Sequence, residues 1–127
     1  MTRTTKPHHD IAIQRAYDDP TPQDGYRVLV DRFWPRGRSK ETLALEEWAR
    51  DLAPGAELIH WFGHEVSRWE EFRTRYRKEL DAPEQQERLR ALLKAAAKHR
   101  ITLVYGAHDE AHNQAVVLRE ALETLHP

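Results

Sequence analysis

Cysteine is absent from this 127-residue chain. That one absence excludes thiol nucleophiles, redox pairs, disulfides and thiolate metal sites. An excess of either charge is missing too: 20 Lys and Arg stand against 21 Asp and Glu, a formal net charge of -1. No global field favours nucleic acid or an anionic membrane, so any anion site must come from local clustering. No apolar run has the length of a membrane span or the layout of a signal peptide, and a cytoplasmic protein with no membrane partner is the expectation. Nor is there a phosphate-cradling glycine loop, a nucleophilic serine elbow or a dinucleotide fingerprint. No cofactor is expected.

What is present orders itself along the chain. Residues 1–9 read as a polar, flexible tail ahead of a single domain over 10–127. DIAIQRAY (10–17) alternates apolar and polar residues, the period of a half-buried strand. DDPTPQDG (18–25) has the Pro, Asp and Gly density of a loop. YRVLVDRF (26–33) carries consecutive apolar residues, which suits a strand covered on both faces. Residues 39–54 open with Ser39 as a helix cap, yet Leu43, Leu45 and Trp48 make no clean helical stripe, so part of the segment is read as extended. Pro54 ends it.

The second half is more regular. AELIHWF makes a short helix stopped by Gly63. Val66, Trp69, Phe72, Tyr76 and Leu80 recur at three- and four-residue steps, predicting an amphipathic helix over 66–81. A second helix runs from Pro83 through Leu89, Leu92, Leu93 and Ala96. RITLVYGA (100–107) is another short apolar strand, ended by Gly106. Asn113 or His112 then caps a final helix carrying Ala115, Leu118, Leu122 and Leu125. Buried strands separated by helices imply a parallel pair with a right-handed crossover. The expected fold is a compact, three-layer, Rossmann-like α/β domain with a small, mostly parallel sheet flanked by helices. Ligands in such sheets sit beyond the carboxyl ends of the strands, which here are followed by DRFWPRGR (31–38) and GAHDEAHN (106–113).

Those two loops hold the chemistry. Arg32, Arg36 and Arg38 can grip a phosphate or carboxylate bidentately, and Trp34 can stack on a base or a cation. The competing reading pairs Arg32 with Asp31 and leaves the other two arginines in solvent. Asp31, at a strand end, and His64, directly after a helix-ending glycine, are the candidate catalytic pair for any proton transfer. The candidate ligand-binding set is Arg32, Trp34, Arg36, Trp61, Tyr105, Asp109 and Asn113. His108 and His112 stand four apart in HDEAH, which invites a metal, but the segment is not HExxH and a two-His spacing is a weak motif. The preferred reading is a polar loop whose Asp109 or Asn113 caps the last helix, with no metal ligand assigned.

Taken together, VDRFWPRG (30–37), W..DLAP (48–54), WFGH (61–64), W..F...Y..EL (69–80) and LVYGA.D..HN (103–113) resemble the YeaO-like branch of the DUF488 family. The resemblance spans nearly the whole domain from Tyr26 onward. It implies a compact α/β domain with the same motif-bearing loops, and no established activity. Longer relatives carry cysteines near the positions of Gly106 and His112, so thiol chemistry does not transfer to this chain. At position 55, where the pattern usually has a serine able to cap the next helix, this chain has glycine.

The expected function is binding of a small anionic or nucleotide-like ligand between loops 31–38 and 106–113, with hydrolysis or group transfer lacking a covalent intermediate if the protein is an enzyme. Two alternatives stand beside it. One is a non-catalytic binding module touching single-stranded nucleic acid; the other is a metal-assisted hydrolase using HDEAH and His64. Substrate, reaction and oligomeric state are not written in the sequence.

Overall fold

Four parallel strands form the centre of the molecule in the order β1-β4-β2-β3. The computed structural model describes residues 10–125, so the expected tail over 1–9 lies outside the described residues. The strands are β1 (Ile11–Arg15), β2 (Tyr26–Leu29), β3 (Glu47–Trp48) and β4 (Ile101–Tyr105). The two inner strands are the two with consecutive apolar residues. All five residues of β4 are buried, as are Arg27, Val28 and Leu29 of β2. The half-buried pattern of β1 marks it as an edge strand.

Alternation along the strands divides their side chains between two faces. Ile11, Val28, Ile101, Leu103 and Tyr105 join the main core, packed by Leu58 and Phe62 of α2 (Ala56–Phe62), Phe72, Tyr76 and Leu80 of α3 (Trp69–Leu80), Leu89 and Leu92 of α4 (Pro83–Ala96), and Leu118 and Leu122 of α5 (Gln114–Glu123). The opposite face carries a thinner layer. There Ala16, Leu29 and Val104 pack with Leu43 of α1 (Lys40–Leu43), and with Trp34 and Leu45 from flanking loops. The three-layer α/β arrangement therefore holds, with one layer of four helices and the other of a single turn and a loop. No helix among the described residues is long and apolar enough to cross a membrane.

Residues 39–54, ambiguous in sequence, resolve into three short pieces. Ser39 caps α1, its hydroxyl accepting from the Thr42 N–H at 3.1 Å. Glu47 and Trp48 pair with β2, and a 3-10 turn follows over Arg50–Leu52. The buried Tyr76 hydroxyl donates to the Leu52 carbonyl at 2.6 Å, tying α3 to this segment. The predicted helix over 66–81 begins as a 3-10 turn at Val66–Arg68 before α3 proper.

The thin face also holds an ion pair that the apolar run of β2 conceals. Arg27 is 3 % exposed, and its Nη1 lies 2.7 Å from Asp24 Oδ2. Its Nε donates to the Leu43 carbonyl and its Nη1 also to Gln14 Oε1. Burial pushes the Asp24 carboxyl up, but the Thr21 N–H and hydroxyl together with the Arg27 guanidinium hold it below the usual carboxylate value. The Thr102 hydroxyl donates to the Asp24 carbonyl at 2.7 Å, so strands β1, β2 and β4 all feed this network.

Candidate functional site

Beyond the carboxyl ends of β1, β2 and β4 lies a cleft of about 570 Å³. Its walls come from Tyr17 after β1, Asp31–Pro35 after β2, and Gly106–Asp109 after β4, with Ile59, His64 and Gln114 completing them. This is where a parallel sheet with helical crossovers leaves a crevice, and the two sequence-distant loops do meet there.

Asp31 joins the two loops. Its Oδ2 accepts the Gly106 N–H at 2.9 Å, its Oδ1 accepts from Gln114 Nε2, and its own carbonyl accepts from Trp48 Nε1 at 2.7 Å. Gly106 has to be glycine for this approach, because a Cβ there would stand 2.9 Å from Asp31 Oδ2. Burial pushes the Asp31 carboxyl up to about 6, against the opposing pull of the two hydrogen bonds. The dominant influence is desolvation.

Arg32 does not pair with its neighbour. Its Nε donates to the Pro54 carbonyl at 2.9 Å, and no carboxylate among the described residues forms an ion pair with it. Neither terminal nitrogen of its guanidinium has a hydrogen-bond partner among the described residues, and Arg32 lines the cleft. Trp34 lines the wall with its indole N–H donated to the Arg38 carbonyl at 2.5 Å and its ring edge-on to Trp48, centroids 5.4 Å apart. Phe33 stands at the rim, 61 % exposed.

His64 lines the cleft as expected of a residue after a helix-ending glycine. Gly63 and His64 both have left-handed backbones, φ 52° and 59°, and this double turn carries the chain off the end of α2. Asp109 also lines the cleft, but its oxygens are spent within its own loop. Oδ1 accepts the N–H groups of Ala111 and His112, and Oδ2 lies 2.9 Å from His112 Nδ1. The Ala111 N–H first, and then His112, hold its carboxyl below the ordinary value.

Four candidates fall outside the lining. The Arg36 side chain is exposed at the surface, although its carbonyl accepts the Tyr17 hydroxyl at 2.9 Å. Trp61 lies on a different side of α2, with the guanidinium carbons of Arg75 and Arg68 at 4.6 and 5.2 Å from its ring centroid. Tyr105 belongs to the helix-side core. Asn113 is 1 % exposed and caps α5, its Oδ1 accepting from Ala115 and Val116 and its Nδ2 donating to the Asp109 carbonyl. Arg38 is likewise turned inward, its Nε donating to the Ala16 carbonyl at 2.9 Å.

The two histidines of HDEAH diverge. His108 Nδ1 is 3.3 Å from Arg15 Nη2, and because arginine can only donate, that nitrogen is the acceptor. His112 turns to Asp109 and packs edge-on against Trp69, centroids 5.3 Å apart. Among the described residues no group of three His, Asp or Glu is arranged to hold a metal ion. Sequence reasoning missed Gln114, Ile59 and Tyr17. Tyr17 had a signal, as it follows β1 at the same sheet end. Gln114 had none, because its role depends on where α5 begins relative to Asp31.

A family model described as "Inactive DUF488-N3 subclade" matches residues 10–126. The chain is 41 % identical over 116 residues to the uncharacterized protein YeaO of Escherichia coli (strain K12), covering 91 % of this chain and 99 % of that protein. It is 36 % identical over 122 residues to the uncharacterized protein Rv3073c of Mycobacterium tuberculosis (strain ATCC 25618 / H37Rv), covering 96 % of this chain and 98 % of that protein. No solved structure matches the chain.

Proposed function

The chain belongs to the DUF488 family, in the subclade described as inactive, and on that footing we propose that its cleft binds a small anionic or nucleotide-like ligand without chemically transforming it. The observation that carries this reading is Arg32, a cleft-lining residue whose guanidinium is anchored through Nε to the Pro54 carbonyl and whose two terminal nitrogens have no partner among the described residues. A fixed fork of this kind is suited to a carboxylate or phosphate and loses little side-chain freedom on binding one. Phe33 and Trp34 supply an aromatic wall for a flat ligand body. The cleft lining contains no Cys, Ser or Thr, and the Tyr17 hydroxyl is donated to the Arg36 carbonyl, so no thiol or aliphatic hydroxyl is placed there to act as a nucleophile.

Because Trp34 lines the cleft, tryptophan fluorescence reports on occupancy. Titration with a panel of nucleotides and aromatic carboxylates should give a saturable change that Arg32→Ala abolishes. No response to any member, or a response unchanged in Arg32→Ala, would sink the reading. A hydrolase or transferase version keeps the same cleft and uses Asp31, with its raised carboxyl pKa, as proton donor with His64 nearby. Turnover of phosphate or carboxylate esters that Asp31→Asn removes would favour that version over simple binding. Single-stranded nucleic acid fits less well, since the lining offers one arginine beside two aspartates.

A further inference from the structure

Asp31 and Arg32 are consecutive residues of opposite charge, lining one cleft, and they do not neutralise each other. Each is held by a separate part of the wall. Arg32 is drawn to the Pro54 carbonyl, while the Asp31 carboxyl is drawn to Gly106 and Gln114. Among the described residues neither takes part in any ion pair. A carboxylate oxygen can accept two hydrogen bonds, and each oxygen of Asp31 accepts one, so one accepting position remains on each. Asp109, the other acid of the cleft, accepts three: the Ala111 and His112 N–H groups fill Oδ1, and the His112 ring takes one position on Oδ2. Asp31 thus keeps two open accepting positions to the one of Asp109, and Arg32 is a donor with no acidic partner among the described residues.

We infer that the ligand is amphoteric: besides the anionic group held by Arg32, it presents an ammonium, amidinium or amide N–H donor to Asp31 on an aromatic or apolar body lying against Phe33. This rests on the anion-binding reading and narrows it to a ligand class. A purely anionic ligand brings a second negative charge toward a carboxylate that already lacks a counter-ion, at an electrostatic cost in so desolvated a place. A ligand carrying both groups satisfies the two unpaired wall charges at once, which is the complementarity that gives an interface its specificity. Burial is what raises the Asp31 carboxyl pKa, and a donor brought by the ligand would oppose that rise. Two kinds of small molecule share this chemistry. Aromatic amino acids combine a carboxylate with an ammonium, and guanine nucleotides combine a phosphate with ring N–H donors.

The test compares L-phenylalanine and GMP with 3-phenylpropionate, which keeps the anion and the ring but lacks the N–H donor. Binding is read by calorimetry and tryptophan fluorescence at pH 7.5. One of the two amphoteric probes should bind at least about tenfold more tightly than 3-phenylpropionate, and which one does so identifies the source. Asp31→Asn should erase that preference while leaving 3-phenylpropionate bound, whereas Arg32→Ala should lose all three. A second readout uses the unmodified protein: the carbon-13 carboxyl resonance of Asp31, followed through a pH titration. His64, His108 and Asp109 share the cleft with it, and Gly106 and Gln114 hold it. Its midpoint should move to lower pH with the amphoteric probe and to higher pH with 3-phenylpropionate. Equal affinity for probe and comparator, or a preference surviving Asp31→Asn, overturns the amphoteric assignment and leaves anion binding standing. Absence of binding by every probe, or binding that ignores Arg32→Ala, overturns the anion reading itself.

Discussion

Asp31 shows how much one residue can decide. Its carboxyl titrates near 6 in the folded protein, above the value near 4 of an unfolded aspartate. A raised folded-state pKa favours the fold when the group is protonated, so that contribution is complete below about pH 4 and disappears as pH rises through about 6. Asp31→Asn removes the ionisation; its oxygen can accept the Gly106 N–H, and its NH2 can donate to Gln114 once that amide turns its oxygen inward. It should stabilise the protein on the order of 2 kcal/mol at pH 7.5 and hardly at all at pH 4, as urea unfolding at both pH values would reveal. The opposite sign is expected at the facing residue. Gly106→Ala sets a methyl group 2.9 Å from Asp31 Oδ2, and should cost about 1 to 3 kcal/mol by overpacking, seen as a lower unfolding midpoint.

At the level of elements, the helices were legible from their periodicity, but their ends and their orientation decided which candidate residues line the cleft. The α5 cap illustrates the difference. Asn113 falls in the loop that lines the cleft, yet its side chain is used on Ala115, Val116 and Asp109. Asn113→Ala should therefore destabilise the fold by about 1 to 2 kcal/mol while the fluorescence response of any surviving folded protein stays as before. Trp61 follows the same logic, since Leu58 and Phe62 take the inward side of α2 and an adjacent residue is rotated about 100° away from Phe62. Tyr105 was readable by parity, because it shares the face of Ile101 and Leu103 and so belongs to the helix core. At α2 itself, the N-cap Gly55 makes no side-chain bond, although its N–H reaches Glu79 Oε1 at 3.0 Å. Space for a side chain exists there, with the nearest contact at 3.5 Å. Gly55→Ser should raise stability by a few tenths of a kcal/mol, measurable as a small upward shift in melting temperature.

Across the whole molecule, the apolar runs were enough to find the inner strands, since a strand covered on both faces has no polar alternation to disguise it. They were not enough for β3, whose two residues are extended only because β2 offers them a ladder, or for the paired charges under α1. Arg27 sits inside an apolar run and pattern alone assigns it to solvent; Asp24, three residues earlier, makes its burial possible. Asp24→Ala would strand that guanidinium in the interior and should cost roughly 3 to 5 kcal/mol, a loss large enough for chemical denaturation to register clearly even if the variant folds only in the cold. The order of the sheet carries one last implication. Both β1 and β2 find their ladder on β4, which lies 90 residues after the start of β1. On a ribosome, β1 emerges with no strand to join and β2 with only the two residues of β3, and the sheet closes only after residue 105 clears the exit tunnel. Unpaired edges of that kind are where incomplete chains associate, so the wait for β4 is the stage of folding at which this sheet is most exposed to aggregation.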